Sequence, residues 1–277
     1  MPELPEVEVT RRALAPHVEG RVVRAVYVRD ARLRWPVPAR LPQLLAGQRV
    51  ERLDRRGKYL LWRFPNGTLI SHLGMSGSWR ILFDRPLPGV HDHADIEFAG
   101  RRAPLVRLTD PRRFGALLWH PASRGDPGRH VLLANLGVEP FDARFDGALL
   151  YAGTRGRRAP IKQVLLAGDI VVGVGNIYAS ESLFRAAINP KLPAYRLGPA
   201  RCARLADAVR DVLNAAIRVG GSTLRDFIGA DGAEGYFMTD AYVYDREGLP
   251  CKVCRTAIKR LVQGQRATYY CPSCQRT

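Results

Sequence analysis

The spacing of apolar residues changes character along the chain. Leu4, Val7, Leu14 and Val18 fall near one stripe, while Thr10, Arg11 and Arg12 lie mostly elsewhere, which predicts an amphipathic helix over 3–18. Pro16 and Gly20 close it. A helix with an apolar stripe needs a surface to cover, so its N-terminal end is expected to be held against the body. From 21 to 120 the pattern breaks into short runs rich in β-branched and large apolar residues. Strands are predicted over 21–29, 49–54, 59–64, 68–73, 79–83, 95–98, 105–108 and 116–119. Turn signals such as Pro65-Asn66-Gly67 separate them. Many short strands at this spacing predict an antiparallel sandwich or barrel.

Residues 121–150 keep returning to turn formers, and the domain junction is placed near 122–138. Helical spacing follows. Pro160 can open a helix through Leu166, after the basic stretch Thr154-Arg155-Gly156-Arg157-Arg158. Val172-Gly173-Val174-Gly175-Asn176 makes a glycine turn into a helix over 177–187, with Asn176 at the cap and Asn189-Pro190 as the stop. Such a turn exposes backbone N–H groups to an anion. Leu205, Val209, Val212 and Ala216 share a face of a helix over 200–218. Ser222-Thr223 is expected to cap a short helix through Ile228, and the run 229–235 is glycine-rich. The reading is an α+β chain with an N-terminal domain over 1–130, a helical domain over 131–240 and a small C-terminal module over 241–277.

Composition narrows the partner. The chain has 277 residues, 46% hydrophobic, with Lys+Arg 43 against Asp+Glu 26 and a net charge of +17. The basic residues are spread along the sequence with no detachable tail, so the positive surface belongs to the folded body. A polyanion partner is expected, most simply nucleic acid. No apolar run is long enough for a membrane span, and acidic residues and prolines occupy the start, so a cytoplasmic location is expected.

Four of the five cysteines lie near the C-terminus, as Cys251-x2-Cys254 and Cys271-x2-Cys274. This is a poor disulfide framework and a good four-thiolate zinc pattern, and four thiolates leave no open position for catalysis. One structural Zn2+ is expected, bracing a hairpin over 259–270 whose tip presents Arg266.

Other motifs are weaker alone. His72-Leu73-Gly74-Met75-Ser76-Gly77 and Asp110-Pro111-Arg112-Arg113-Phe114-Gly115 each put a bulky apolar residue in a glycine-bounded turn. Such a residue caps a core or serves as a wedge between base pairs. Arg55-Arg56-Gly57-Lys58 reads as a solvated basic turn or a phosphate contact. His91-Asp92-His93 has no third ligand nearby, and a strand-end pair or phosphate contact is expected before a metal site. The opening Met1-Pro2-Glu3-Leu4-Pro5-Glu6 is a normal helix start. Loss of Met1 would leave Pro2 as a secondary amine, a nucleophile able to form an iminium with an aldehyde-like carbon, with Glu3 and Glu6 as acid–base partners.

Together these segments resemble the bacterial formamidopyrimidine-DNA glycosylase family. The resemblance runs nearly end to end, through PELPEVE at 2–8, RRGKYLL at 55–61, HLGMSGS at 72–78, HDH at 91–93, TDPRRFG at 109–115, VVGVGNIYASESLF at 171–184, GYF at 235–237 and QRATYYCPSC at 265–274. It implies an N-terminal helix on an antiparallel β-sandwich, a helix–two-turn–helix domain and a zinc-finger hairpin. It also implies excision of oxidised purines from double-stranded DNA, cleavage at abasic sites and a monomer. Pro2 would attack C1′, Glu3 act as general acid and base, Lys58 assist the first elimination, and Arg266 contact phosphate and support the second. Glu6 matches a pocket carboxylate. His91, Arg112, Arg157 and Asn176 match DNA contacts. Met75, Arg112 and Phe114 match the residues filling the gap left by an everted nucleotide. The segment 223–236 matches one that covers the flipped base. An endonuclease VIII-type glycosylase for oxidised pyrimidines and a zinc-dependent DNA-binding protein without catalysis are the alternatives. The PELPEV start and the Arg112/Phe114 pair oppose the first, and the Pro2, Glu3 and Lys58 set opposes the second.

Overall fold

The computed structural model describes residues 2–222, 230 and 236–276. It divides into two compact units, Met1–Ala134 with Val219–Tyr236, and Asn135–Arg218 with Phe237–Thr277.

The first unit opens with helix α1 (Leu4–Val18). Strand β1 (Val23–Val28), a short helix α2 (Leu41–Leu45) and strands β2 (Arg52–Arg56), β3 (Tyr59–Phe64), β4 (Gly67–His72), β5 (Ser78–Leu82), β6 (Asp92–Phe98), β7 (Leu105–Thr109) and β8 (Ala116–Pro121) follow. They form two antiparallel sheets, in the orders β1-β6-β7-β5 and β2-β3-β4-β8. The period-2 pattern seats alternate side chains inward. Leu60, Trp62, Leu69, Trp79, Phe98 and Leu108 form the core with Val7, Leu14 and Val18 of α1. Trp62 and Trp79 meet edge-on at 5.4 Å, and Trp79 Nε1 donates to Ser71 Oγ, which satisfies its polar end inside the core.

The sequence places the second strand at 49–54, whereas β2 spans Arg52–Arg56. Arg49 instead bridges Val22, and Val50 N–H donates to Arg21 O. β2 is the edge of its sheet, where charged side chains are tolerated and discourage further pairing. Helix α2 was absent from the periodicity because it is one turn long. Its Leu41 and Leu45 are buried.

The second unit contains α3 (Gly147–Thr154), α4 (Ile161–Ala167), α5 (Asn176–Arg185), α6 (Pro199–Arg218), α7 (Phe237–Asp240) and a hairpin of β9 (Lys259–Gln263) with β10 (Arg266–Tyr270). α3 lies within the turn-rich stretch, capped by Asp146, whose carboxylate accepts from Leu149 N–H. Its first residue approaches α6 so closely that a Cβ on Gly147 would lie 2.6 Å from Ala203 Cα. α6 buries Leu205, Val209, Val212 and Ala216 on one face, as its pattern predicts. The helix expected to follow Ser222-Thr223 and the glycine-rich run lie outside the described residues, apart from Ala230.

α1 is joined to the β2 edge by charge. Glu8 is buried and accepts from Arg11 Nη2 at 2.9 Å, Arg12 Nε at 2.8 Å and Arg55 Nε at 3.0 Å. Burial alone raises its pKa, but the three guanidinium groups win and hold it at about 2, against an ordinary 4.5. The unfolded chain therefore binds this proton first. The stabilisation is complete above pH 4.5 and disappears as pH falls toward 2. Glu8→Gln is expected to cost about 2–3 kcal/mol at neutral pH and to flatten this acid limb, measured by urea unfolding across pH. An unchanged acid limb in the variant would contradict the assignment.

Candidate active site

The start of α1 is a capping box. Glu6 Oε2 accepts from Glu3 N–H at 2.8 Å, and the Glu3 side chain reciprocates at the backbone of Glu6. Pro2, Glu3 and Glu6 are all buried. The second oxygen of Glu6 faces the far end of the same unit, accepting from Ser222 N–H at 2.7 Å and Ser222 Oγ at 2.8 Å. A Cβ on Gly221 would lie 2.9 Å from that oxygen, and φ of +85° there also favours glycine. Glu6 thus ties the residue next to Pro2 to the base of the 223–235 segment. Ser222, expected from the sequence only as a helix cap, has its N–H and hydroxyl on Glu6, a partner 216 positions away that spacing does not reveal.

Lys58 lies in the β2–β3 turn. Arg55 braces that turn twice, through Glu8 on α1 and through a 3.0 Å donation from Nη1 to Gly57 O. Gly57 has φ of +56°, a left-handed turn residue. Beside Lys58 is His72, which the sequence did not mark as a separate candidate. Its ring packs on Tyr59 at 4.7 Å, and its Nδ1 accepts from Gly74 N–H at 2.9 Å, so the ring proton belongs on Nε2. Burial, with Lys58 and Arg34 nearby, pushes its pKa down to about 4. A neutral imidazole adjoins the lysine at neutral pH.

The two glycine-bounded loops share one brace. Buried Asp110 accepts from Ser76 Oγ at 2.8 Å and from Gly115 N–H at 2.7 Å. A Cβ on Gly74 would lie 2.3 Å from the Phe114 carbonyl carbon, so the loops meet backbone to backbone. On this rigid base Met75 and Phe114 stay exposed, at 38% and 41%. The Arg112 guanidinium lies 5.0 Å over the Phe114 ring. Exposed apolar side chains on a braced base are the geometry a wedge needs.

The histidines at 91–93 diverge. His91 is exposed, while His93 is buried with Nε2 2.8 Å from Asp110 O. Asp92 accepts from Gly89 N–H, Thr109 Oγ1 and Arg80, which pins the turn that carries His91.

In the second unit Gly175, rather than Asn176, occupies the cap of α5. Asn176 is its first residue, and its Nδ2 donates to Ala267 O at 3.0 Å instead of capping the helix. Buried Lys162 donates to the same oxygen at 3.0 Å and to Thr268 Oγ1 at 2.8 Å. Nothing in the local sequence distinguishes Lys162, because its partners lie more than 100 positions away. Both side chains converge on the residue after Arg266 and fix the β10 strand. The positive φ values of Gly264 and Gln265, +52° and +62°, make the tight hairpin turn that precedes it. Glu181 on α5 takes the N–H groups of Tyr242, Val243 and Tyr244 at 2.8–2.9 Å, anchoring the approach to the cysteine module. Arg157 is bound bidentately by Asp169 at 2.8 and 3.1 Å, whereas Arg158 is exposed.

The sulfur atoms of Cys251, Cys254, Cys271 and Cys274 all lie within 4.8 Å of one another. Tetrahedral zinc with bonds of about 2.3 Å needs sulfur separations of about 3.8 Å. The observed 3.9 Å for Cys251–Cys274 and 3.4 Å for Cys254–Cys271 bracket that value. Val253 N–H and Cys274 N–H each point at a sulfur, as knuckle amides do for thiolates. The donor set fits one structural Zn2+.

Family models match in sequence order. The formamidopyrimidine-DNA glycosylase N-terminal domain matches residues 1–117, its H2TH domain 136–228, and the zinc finger found in FPG and IleRS 248–277. The chain is 60% identical to the formamidopyrimidine-DNA glycosylases of Janthinobacterium sp. (strain Marseille) and Bordetella pertussis, over the full length of each. Among solved structures it is similar to the MutM (Fpg) protein of Thermus thermophilus, at 41% identity and TM-score 0.87, covering 99% of this chain and 98% of that one. It is also similar to Lactococcus lactis Fpg in complex with abasic-site DNA, at 30% identity and TM-score 0.90, with full coverage of both chains.

Removal of zinc is expected to release the hairpin. Cys254→Ser should lower bound zinc well below one per chain and raise hydrogen exchange over β9 and β10. Metal analysis and exchange mass spectrometry check this, and full zinc retention would contradict the site.

Proposed function

The chain belongs to the formamidopyrimidine-DNA glycosylase family, DNA glycosylases of base excision repair, and from that premise we propose a substrate and a mechanism. The substrate is double-stranded DNA carrying an oxidised purine, 8-oxoguanine or a formamidopyrimidine, or an abasic site. The products are the free base and a strand cut by β,δ-elimination. The observation that carries this reading is the buried Pro2-Glu3-Glu6 start, held to Ser222 by one carboxylate.

With Met1 attached, the Pro2 nitrogen is an amide and has no nucleophilic lone pair. With Met1 removed it is a secondary amine. The amine attacks C1′, and the C1′–base bond breaks with the base taking up a proton. Glu3 protonates the ring oxygen as the sugar opens, leaving an iminium between Pro2 and C1′. The cation withdraws electrons and acidifies the adjacent C–H. Lys58 assists proton transfer as the 3′ phosphate leaves, and Arg266 contacts phosphate in the second elimination. His72, neutral and beside Lys58, does not add a second fixed cation there at neutral pH.

The remaining assignments rest on the family resemblance. Met75, Arg112 and Phe114 fill the space vacated by the everted nucleotide, and their shared brace at Asp110 supports this. His91, Arg157 and Asn176 contact the DNA backbone. Arg157 uses one N–H of each Nη on Asp169, which leaves other guanidinium N–H groups for a phosphate, and exposed Arg158 supplies a neighbouring charge. The work takes place in the cytoplasm, where the chromosome is accessible.

Specificity for purines is testable because one neighbour is described as a complex of Lactococcus lactis Fpg with DNA containing an oxidised pyrimidine. A lesion panel with 8-oxoguanine ahead of oxidised pyrimidines supports the proposal, and the reverse order favours the pyrimidine reading. Chain with Met1 removed should form a borohydride-trapped covalent complex with abasic or 8-oxoguanine duplex. Chain retaining Met1 should form none, and Pro2→Gly should slow both base release and strand cleavage. Trapping of equal yield with Met1 attached would sink the mechanism.

A further inference from the structure

The β1-β6-β7-β5 sheet has two ends. One carries His91 and Asp110. The other ends in a hollow of about 580 Å³ lined by Arg24, Phe83, Arg85, Arg101, Arg102 and Ala103. The seven residues of β6 separate the two ends, a distance of about 23 Å at the usual rise of a strand.

Most arginines on this sheet are neutralised. Arg29 and Arg107 are paired with Asp95, and Arg80 with Asp92. At the hollow only Arg85 has a carboxylate, Glu97 at 3.3 Å. Arg24, Arg101 and Arg102 are exposed and make no side-chain hydrogen bond or ion pair among the described residues. Phe83 is 59% exposed at the rim, touching His17 by a ring edge at 5.8 Å. Three uncompensated guanidinium groups around one hollow repel each other, a cost that a bound anion lowers beyond what water and salt screening do.

We infer that this hollow is a second nucleic-acid contact, which takes the phosphodiester backbone of a DNA segment other than the one at the candidate active site. The inference rests on the reading of DNA as the partner. Guanidinium forks match phosphate oxygens bidentately, and an exposed ring offers a stacking surface to a base. A peptide would need more. Strand addition requires a free sheet edge, but Ile81 N–H on β5 is already taken by Ala230 O, and β1 is engaged by Gly47 and Gln48. Four of the residues that line the hollow are arginines, which suits a phosphate chain. The consequence is an enzyme that holds one segment for repair while touching another, so that transfer between segments does not require full dissociation.

The test uses the zinc-loaded full chain, with its active site filled by a short duplex bearing a reduced abasic site that cannot form an iminium. Binding of a second, labelled undamaged duplex to this complex is measured across salt concentrations. The complex is expected to bind it, and Arg24→Glu/Arg101→Glu/Arg102→Glu to weaken that binding and lower its salt slope by about 2–3, at about 0.9 per phosphate contact. Turnover of a short lesion duplex should stay at the parent rate, which also shows that the variant folds. If turnover falls, the triple Arg→Gln variant is measured instead, with the same slope change expected. Absence of second-duplex binding, an unchanged slope, or binding of an acidic peptide in place of DNA would overturn the inference. Loss of lesion turnover in the parent protein would instead overturn the reading of the active site.

Discussion

The buried carboxylate of Glu6 is the constraint on which the catalytic end of the first unit depends. An ionised carboxylate out of water is costly unless donors surround it. Here they come from opposite directions, Glu3 N–H on one oxygen and Ser222 N–H and Oγ on the other. The group cannot shift toward either without losing the other. Residue 222 therefore has one position relative to the start of α1, and the glycine before it is required by both space and backbone angle. A side chain that caps a helix in the local sequence is, in three dimensions, the link between distant ends of the unit.

Carboxylates direct the rest of the charge in the same way. The excess of arginine gives little information as a total. Its meaning lies in which guanidinium groups are paired. Glu8 gathers Arg11, Arg12 and Arg55, and through Arg55 connects α1 to the turn that carries Lys58. Asp95 and Asp92 organise Arg29, Arg80 and Arg107 beneath the loop of His91. These arginines are structural. The unpaired groups at Arg24, Arg101 and Arg102 mark where positive charge faces outward instead.

Much of this was legible in the sequence, for identifiable reasons. The strands at 59–64, 68–73 and 105–108 are found within a residue of their expected bounds, because each is a short, almost continuously buried apolar run bounded by turn residues. The four cysteines were legible because metal geometry restricts their spacing. The family motifs marked Pro2, Glu3, Lys58 and Arg266, yet residues beside or behind each of them left little local signal. Ser222, Lys162 and His72 act through partners distant in the chain or through burial, neither of which spacing reveals. Asn176 was misplaced at the cap because a glycine turn before a helix usually leaves that position to the polar residue. Here the amide is drawn away to Ala267 O and the backbone of Gly175 begins the helix. The lesion-covering role that the resemblance implies for 223–236 falls mostly on residues outside those described, with only 230 and 236 among them.

If Pro2 is the nucleophile, as proposed, its burial sets two influences against each other. A buried amine loses hydration, which favours its neutral, nucleophilic form. Neighbouring carboxylates favour the protonated form. Glu6 is largely committed, since both its oxygens already accept backbone or hydroxyl hydrogens. Glu3 is left as the nearer acid–base partner, although its own side chain also serves the capping box. Proton transfer by Glu3 in the proposed mechanism would therefore disturb a helix-capping contact. The proposed reaction is then local: the group that would exchange protons sits one peptide from the proposed nucleophile, while Glu6, which fixes the distance, is occupied by its own donors.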